Sequence, residues 1–242
     1  MVRFRVGKSY RFKRMKVAAI IFSRMASSRL PGKALRHIAG EPLIKRVINR
    51  VSKVKKLSTV VVATSNSKTD DRLVEYIQSL NIEVFRGAAH DVLNRAVSCA
   101  SYLGVDKFIR INGDSPLIDP ELLEKGIEMW REPNLDLISN VFPRTYPVGT
   151  SVEIIKTDSL KKILSLTVDS CDREHVTRFF YRNPEKFRIL NFESGRSELR
   201  EVRLAVDTEK DLERIDWLFK EFGGLINFEM AAEKSLLWSR VE

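Results

Sequence analysis

Cysteine is almost missing from this chain: only Cys99 and Cys171 occur in 242 residues. Two thiols cannot build the disulfide framework of a small secreted scaffold. Their apolar or helix-pattern neighbours predict reduced, buried side chains in a cytoplasmic protein. No apolar run approaches the roughly 18 residues of a membrane-spanning helix, which excludes an integral helical membrane protein. The apolar run Val17–Phe22 is too short for the core of a secretory signal. Internal repeats, low-complexity stretches and Pro/Gly/Ser linkers long enough to separate two domains are also missing. Acidic residues are absent from residues 1–16, which carry seven bases (Arg3, Arg5, Lys8, Arg11, Lys13, Arg14, Lys16).

That local imbalance explains most of the net charge of +10. Without those bases, 35 basic residues face 32 acidic ones, a balance of only +3. A basic arm can bind nucleic acid or an anionic surface, but a core near neutrality argues against nucleic acid as the main partner. Residues 1–14 are read as a disordered or non-native extension ahead of a start at Met15. A transit peptide fits the composition, yet the segment is short for one. The whole chain is 43% hydrophobic and 31% charged. That suits one soluble domain, residues 15–242, with a core large enough to need no staples.

Strand and helix patterns alternate along the first half. Val17–Phe22, Ser58–Thr64, Ile82–Phe85 and Lys107–Ile111 read as strands, with a short one at Asp136–Asn140. Helices are expected from Pro42 to about Val54, over Thr69–Leu80, His90–Leu103 and Pro120–Trp130. Leu43, Val47, Val51 and Val54 share one face of the first. This alternation predicts an α/β fold: a Rossmann-like, mixed but mostly parallel central sheet with helices on both faces. In the second half, Ser151–Lys156, Phe187–Phe192 and Arg203–Val206 read as strands. Residues 158–165, 172–182, 209–222 and 227–238 read as helices.

Three polar clusters sit where strands end, and open α/β sheets bind ligands at the carboxyl ends of their strands. The first, Ser23 to Lys33, offers Ser23, Arg24, Ser27, Ser28, Arg29 and Lys33. Guanidinium forks, hydroxyls and free N–H groups suit a polyphosphate, and Pro31-Gly32 sets a turn able to aim Lys33 at it. The loop has neither Walker A spacing nor a GxGxxG fingerprint; a solvated basic loop is the alternative. The second cluster, Arg110 to Asp119, puts Asp114 after Gly113, where a hard carboxylate can hold Mg2+ or merely shape a turn. In the third, Asp207 ends a strand beside Thr208, so it either joins Asp114 at the site or caps the next helix.

Together these residues resemble the cytidylyltransferases that activate sugar acids, the acylneuraminate and 3-deoxy-manno-octulosonate group. Within it, the chain is most similar to the SpsF-type, spore-coat polysaccharide branch. The resemblance runs from Met15 to Phe219 and rests on six ordered motifs. R-x-x-S-[ST]-R-L-P-G-K stands at Arg24–Lys33, V-F-R-G-x-x-x-D-V-L-x-R at Val84–Arg95, and G-D-x-P-L-I-D-P at Gly113–Pro120. R-T-Y-P-x-G stands at Arg144–Gly149, D-R-E-H-V-T at Asp172–Thr177, and V-D-T-x-x-D-L at Val206–Leu212. Val148 replaces the Asp that the branch usually carries, and Ser23 replaces its Ala or Gln.

The resemblance implies transfer of CMP from CTP to an anionic, sugar-like acceptor, for surface polysaccharide biosynthesis, with release of pyrophosphate. It assigns catalysis to Arg29, Lys33, Asp114 and Asp207, the two aspartates holding Mg2+. It assigns the nucleotide to the first loop, Met25 included, and to Ala63, Thr64, Arg86, Gly87, Asp91, Arg95, Asn112 and Gly113. Asp91 and Arg95 read equally well as an i,i+4 ion pair, and Asn112 as part of a turn. Arg144, Tyr146, Glu153, Arg173, Glu174 and His175 fall on the acceptor side; His175 also fits a structural hydrogen bond. Residues 142–184 match the stretch through which related enzymes dimerise, so a homodimer is expected. The alternatives are another nucleotide with a phosphosugar or phosphonate acceptor on the same fold, a non-catalytic nucleotide binder, and nucleic-acid binding through the basic arm.

Overall fold

A computed structural model describes residues 16–238; the reading of residues 1–14 as an extension lies outside them. In chain order the elements are β1 (Val17–Phe22), β2 (His37–Ile38), β3 (Glu41–Pro42), α1 (Leu43–Val51), β4 (Thr59–Ser65) and α2 (Asp71–Ser79). There follow β5 (Glu83–Gly87), α3 (Val92–Tyr102), β6 (Lys107–Asn112), α4 (Pro120–Met129), β7 (Leu137–Ser139) and β8 (Glu153–Lys156). The last are α5 (Thr157–Leu166), α6 (Ser170–Glu174), α7 (Arg178–Arg182), β9 (Ile189–Asn191), α8 (Glu209–Phe222) and α9 (Phe228–Trp238).

Seven strands form one sheet in the order β5-β4-β1-β6-β8-β7-β9. The first four are mutually parallel. β8 runs antiparallel to β6 and β7, and β9 lies parallel to β7. The sheet is therefore mixed and mostly parallel, as its alternating pattern predicts. From β1 the chain steps outward to β4 and β5, then returns through α3 to place β6 on the other side of β1. The order reverses between β1 and β6, which opens a crevice at their carboxyl ends.

Strand alternation sorts the core. Val17, Ala19 and Ile21 face one side, with α1, α2, α4, α8 and α9. Ala18 and Ile20 face the other, with α3, α5 and the segment holding Val176 and Phe180. The predicted apolar face of α1, Leu43, Val47, Val51 and Val54, is buried.

Three local expectations are corrected. Residues 172–182 form two short helices, broken at His175 (φ −107°, ψ 87°); the break buries Val176 and leaves His175 on the crevice. Arg203–Val206 is no strand beyond a single bridge from Val148 to Arg203. Its amides serve loops instead: Leu204 N–H donates to Val148 O and Val206 N–H to Asp114 O. Cys99 is buried as expected, but Cys171 is exposed near the start of α6.

A candidate nucleotide-transfer cleft at the strand-order reversal

The crevice between β1 and β6 is a cleft of about 700 Å³. Its first wall is the Ser23–Lys33 loop. Gly32 adopts a left-handed conformation (φ 70°) that a Cβ would strain, and its N–H closes the loop on Met25 O at 3.0 Å. Lys33 then opens a short 3-10 turn. Its ammonium reaches Asp114 Oδ2 at 2.8 Å, Asp207 Oδ1 at 3.1 Å and Val206 O at 2.9 Å. Arg29 Nη2 lies 2.9 Å from the same Asp207 oxygen. The predicted convergence of a basic loop with two distant carboxylates is thus present.

Local chemistry keeps Asp207 out of the helix cap, and its other oxygen, Oδ2, accepts from Arg203 Nη1 at 2.9 Å. Thr208, not Asp207, caps α8, in a capping box with Asp211. The Asp211 carboxylate also accepts from Asp207 N at 3.1 Å, which pins the backbone. Burial pushes the Asp211 carboxyl up, but bonds from Thr208 and Arg214 outweigh that and hold it below the usual range. Gly113 lets β1 and β6 close: a Cβ there would stand 2.6 Å from Ser23 Cβ and 2.9 Å from Phe22 O.

The Ser23–Lys33 loop is anchored from behind by Asp70, which sequence reasoning missed. Asp70 is fully buried. It accepts from Met25 N and Thr64 Oγ1, both at 2.8 Å, from Ser65 N at 3.0 Å, and from Ser65 Oγ. Desolvation raises its pKa, but these bonds together hold it below the ordinary value of 3.8. Its Thr-Asp-Asp setting looked like an ordinary helix start.

Arg95, Arg110, Glu174 and His175 line the rest of the cleft, with His90 beside them. Arg24 pairs with Glu174 at 2.9 Å. Arg95 is buried, donates Nη1 to Ala88 O and leaves Nε without a partner. Arg110 pairs with Glu153. Neither His90 nor Arg110 was expected in the site; a charged residue within the apolar strand pattern KFIRI was the available signal for Arg110.

Of the expected residues, Ser23, Arg24, Ser27, Ser28, Arg29, Lys33, Arg95, Gly113, Asp114, Glu174, His175 and Asp207 line the cleft. Others stand elsewhere. Met25, Ala63 and Thr64 lie behind the loop, the last two fully buried. Arg86 pairs with Asp71 and donates to Ser65 O and Ser67 O. Gly87 sits against Arg95, a built Cβ meeting its Cγ at 2.9 Å. The Asp91–Arg95 pair does not form: Asp91 caps α3 and pairs with Arg173 at 2.9 Å. Asn112 O accepts from Ser115 N, as the turn reading had it. Arg144 donates to Pro147 O and Ser151 Oγ. Tyr146 is a core residue against Phe192 and Phe228, its hydroxyl on Glu193 O. Glu153 is buried behind Arg110 and does not face the cleft. Burying the Tyr146 ring and neutralising Arg110 explain these two departures.

The two carboxylates fit a divalent cation. They already enclose one cationic group, the Lys33 ammonium, and they are hard oxygen donors. Among the described residues no group of three or more His, Cys, Asp or Glu could hold a metal. Mg2+ is typically held by one or two carboxylates and completed by water and substrate phosphates, so two suffice.

Comparison with known proteins agrees with this geometry. The family profile described as cytidylyltransferase matches residues 18–238. The spore coat polysaccharide biosynthesis protein SpsF of Bacillus subtilis is 31% identical, across 84% of this chain and 86% of that protein. A 3-deoxy-manno-octulosonate cytidylyltransferase of Geobacter metallireducens is 33% identical, across 70% of this chain and 62% of that protein. The solved structure of a cytidylyltransferase from Leptospira borgpetersenii superposes with a TM-score of 0.87 at 28% identity, covering 94% and 95% of the two chains.

Proposed function

The chain belongs to the cytidylyltransferase family, and from that premise we propose that it moves CMP from CTP onto an anionic, sugar-like acceptor, with Mg2+ as cofactor. A sugar acid for surface polysaccharide is the acceptor class we favour. The observation that carries the reading is Lys33 Nζ held between Asp114 and Asp207, with Arg29 on the same Asp207 oxygen.

In the reaction an acceptor oxygen bonds to the α-phosphorus of CTP while the bond to the β-phosphate oxygen breaks and pyrophosphate departs. Such a transfer needs alignment and charge neutralisation more than covalent help. Arg29 and Lys33 neutralise the departing pyrophosphate in a partly dry cleft, where a fixed charge acts more strongly than in water. Arg24, Ser27 and Ser28 hold the remaining phosphate oxygens. Asp114 and Asp207 would hold Mg2+, which when bound polarises the phosphate and neutralises its charge. Glu174 and His175 supply the acceptor-side wall.

We propose a homodimer built around residues 142–184. Phe142, 39% exposed, stacks on the Tyr181 ring at 4.9 Å and offers aromatic surface for a contact. No helix among the described residues is long and apolar enough to cross a membrane, and CTP is an intracellular substrate; both support a cytoplasmic location.

The test is pyrophosphate release with CTP, Mg2+ and a panel of acid sugars, beside a melting screen with four nucleotides. CTP should raise the melting temperature selectively. Preference for UTP or GTP would refute the cytidine assignment for this chain. Asp114→Ala should stay folded and release no pyrophosphate. A solution mass of one 27.9 kDa chain would reject the dimer.

A further inference from the structure

Arg110 stands where an apolar side chain is expected. Its neighbours Ile109 and Ile111 are buried in one core and Phe108 in the other. Arg110 points to the second side but reaches the cleft and lines it. The one side-chain hydrogen bond it makes among the described residues runs from Nη1 to Glu153 Oε2 at 2.5 Å. Nε is buried with no partner. A buried guanidinium nitrogen without an acceptor is costly; Arg50, Arg95 and Arg214 carry one too, and what sets Arg110 apart from Arg50 and Arg214 is that it also lines the cleft.

The support behind Arg110 is a relay on neighbouring strands. Glu153, on β8, is 3% exposed. Tyr181 donates its hydroxyl hydrogen to Glu153 Oε1 at 2.6 Å. Having spent its only hydrogen there, that hydroxyl accepts from Ser139 Oγ at 2.8 Å. Burial raises the Glu153 pKa, but Arg110, Tyr181 and Thr177 outweigh it and keep the group ionised. Arg144 feels the same carboxylate and has no carboxylate partner of its own among the described residues. The one ion pair of Glu153 among the described residues is with Arg110, so the carboxylate holds the guanidinium without occupying all of its donors.

Strand order says which ligand Arg110 faces. Asp70 ties the phosphate loop to the β4 side of the cleft. Arg110 lies on β6, which pairs with β8 on the side away from β4, and it shares the cleft with Glu174 and His175, Glu174 being paired with Arg24. We infer that Arg110 receives the anionic group of the acceptor, a carboxylate, as a forked partner, and that Glu153, Tyr181 and Ser139 are positioning residues that hold its guanidinium at the cleft. This rests on the cytidylyl-transfer reading given above and adds the residue that selects the acid.

The experiment compares wild type, Arg110→Lys and Tyr181→Phe in pyrophosphate release with CTP and Mg2+. The acceptor probes are 3-deoxy-manno-octulosonate, N-acetylneuraminate and gluconate, each also as its methyl ester. Lysine keeps the charge opposite Glu153 and loses the fork. Arg110→Lys is expected to raise the acceptor KM about tenfold, the scale of a charged hydrogen bond. The KM for CTP should stay within about twofold, and the preference for acid over ester should collapse. Tyr181→Phe should raise the acceptor KM about threefold with kcat nearly unchanged. Both variants should keep the CTP-induced melting shift, which shows that the cleft is intact. If wild type uses an acid and Arg110→Lys keeps its acceptor KM and acid preference, this inference fails and the cytidylyl-transfer reading stands. If wild type uses none of the acids, the proposed acceptor class and this inference fall together.

Discussion

Replacing Asp70 with alanine removes a carboxylate that water does not reach and that gathers Met25 N, Thr64 Oγ1, Ser65 N and Ser65 Oγ. The two hydroxyls can turn toward other acceptors; the two backbone N–H groups cannot. A buried donor left without an acceptor costs about 1–3 kcal/mol, so the variant should lose on the order of 3–5 kcal/mol. In a chain of this length about 1 kcal/mol moves the melting point by about 2–4 °C, which puts the fall at about 6–20 °C. Function should follow, because Met25 N–H is the tether of the phosphate loop. The KM for CTP is expected to rise about tenfold, with a smaller change in kcat. The pH dependence has a definite sign. The folded pKa of Asp70 lies below the ordinary 3.8. Its contribution is therefore complete above the unfolded value and is lost as pH falls below it through the folded pKa. The gap between wild type and variant should be flat from about pH 5 to 8 and close below about pH 4. Urea unfolding across that range and initial-rate pyrophosphate release measure both effects. A melting loss under about 3 °C with an unchanged KM for CTP would refute the reasoning, since Asp70 would then be neither anchor nor tether.

Lys33→Ala leaves Asp114 and Asp207 without the ammonium between them. Pyrophosphate release should show kcat falling about hundredfold or more with the fold retained; a loss under about threefold would remove Lys33 from the machinery. Gly113→Ala forces a Cβ to within 2.6 Å of Ser23 Cβ. It should cost about 1–3 kcal/mol by overpacking and raise the KM for CTP, which unfolding and initial rates together would check. Lys107 is 8% exposed, and burial pushes its ammonium down to about 8 from 10.5. Between those values the unfolded chain binds a proton that the folded chain does not, so this group's share of stability rises with pH through that window. Lys107→Met should therefore show its greatest relative gain at pH 7 and lose it toward pH 10 in urea unfolding; a gap independent of pH would contradict the assignment.

Much of the cleft was readable because its parts sit beside the ends of strands or helices. Asp114 follows β6 directly, and Asp207 precedes a helix whose cap is visible as Thr208 with Asp211 three residues on. The acceptor side was far less readable. Tyr146 belongs to a motif on that side and Glu153 was assigned there with it, yet one fills the core and the other backs Arg110. A motif says that a position matters and is silent on whether it touches ligand or holds a neighbour. Asp91 shows the same limit: a helical partner four residues on looked natural, and the structure pairs it with Arg173 instead, 82 residues away.

Local pattern alone determined the α/β alternation, the buried face of α1, the boundaries of β1 and α8, and the presence of a cationic loop after β1 and of Asp114 just past β6; Asp207 was expected at the end of a strand that does not form. Apolar periodicity reports backbone geometry and one-sided burial within a dozen residues, and that is enough for these features. Tertiary structure alone decided that Lys33 bridges Asp114 and Asp207, that Asp70 tethers the loop, and that Arg110 leans on Glu153. With 42 basic and 32 acidic residues in the chain, charge complementarity permits many pairings. The order and register of the strands bring these within reach.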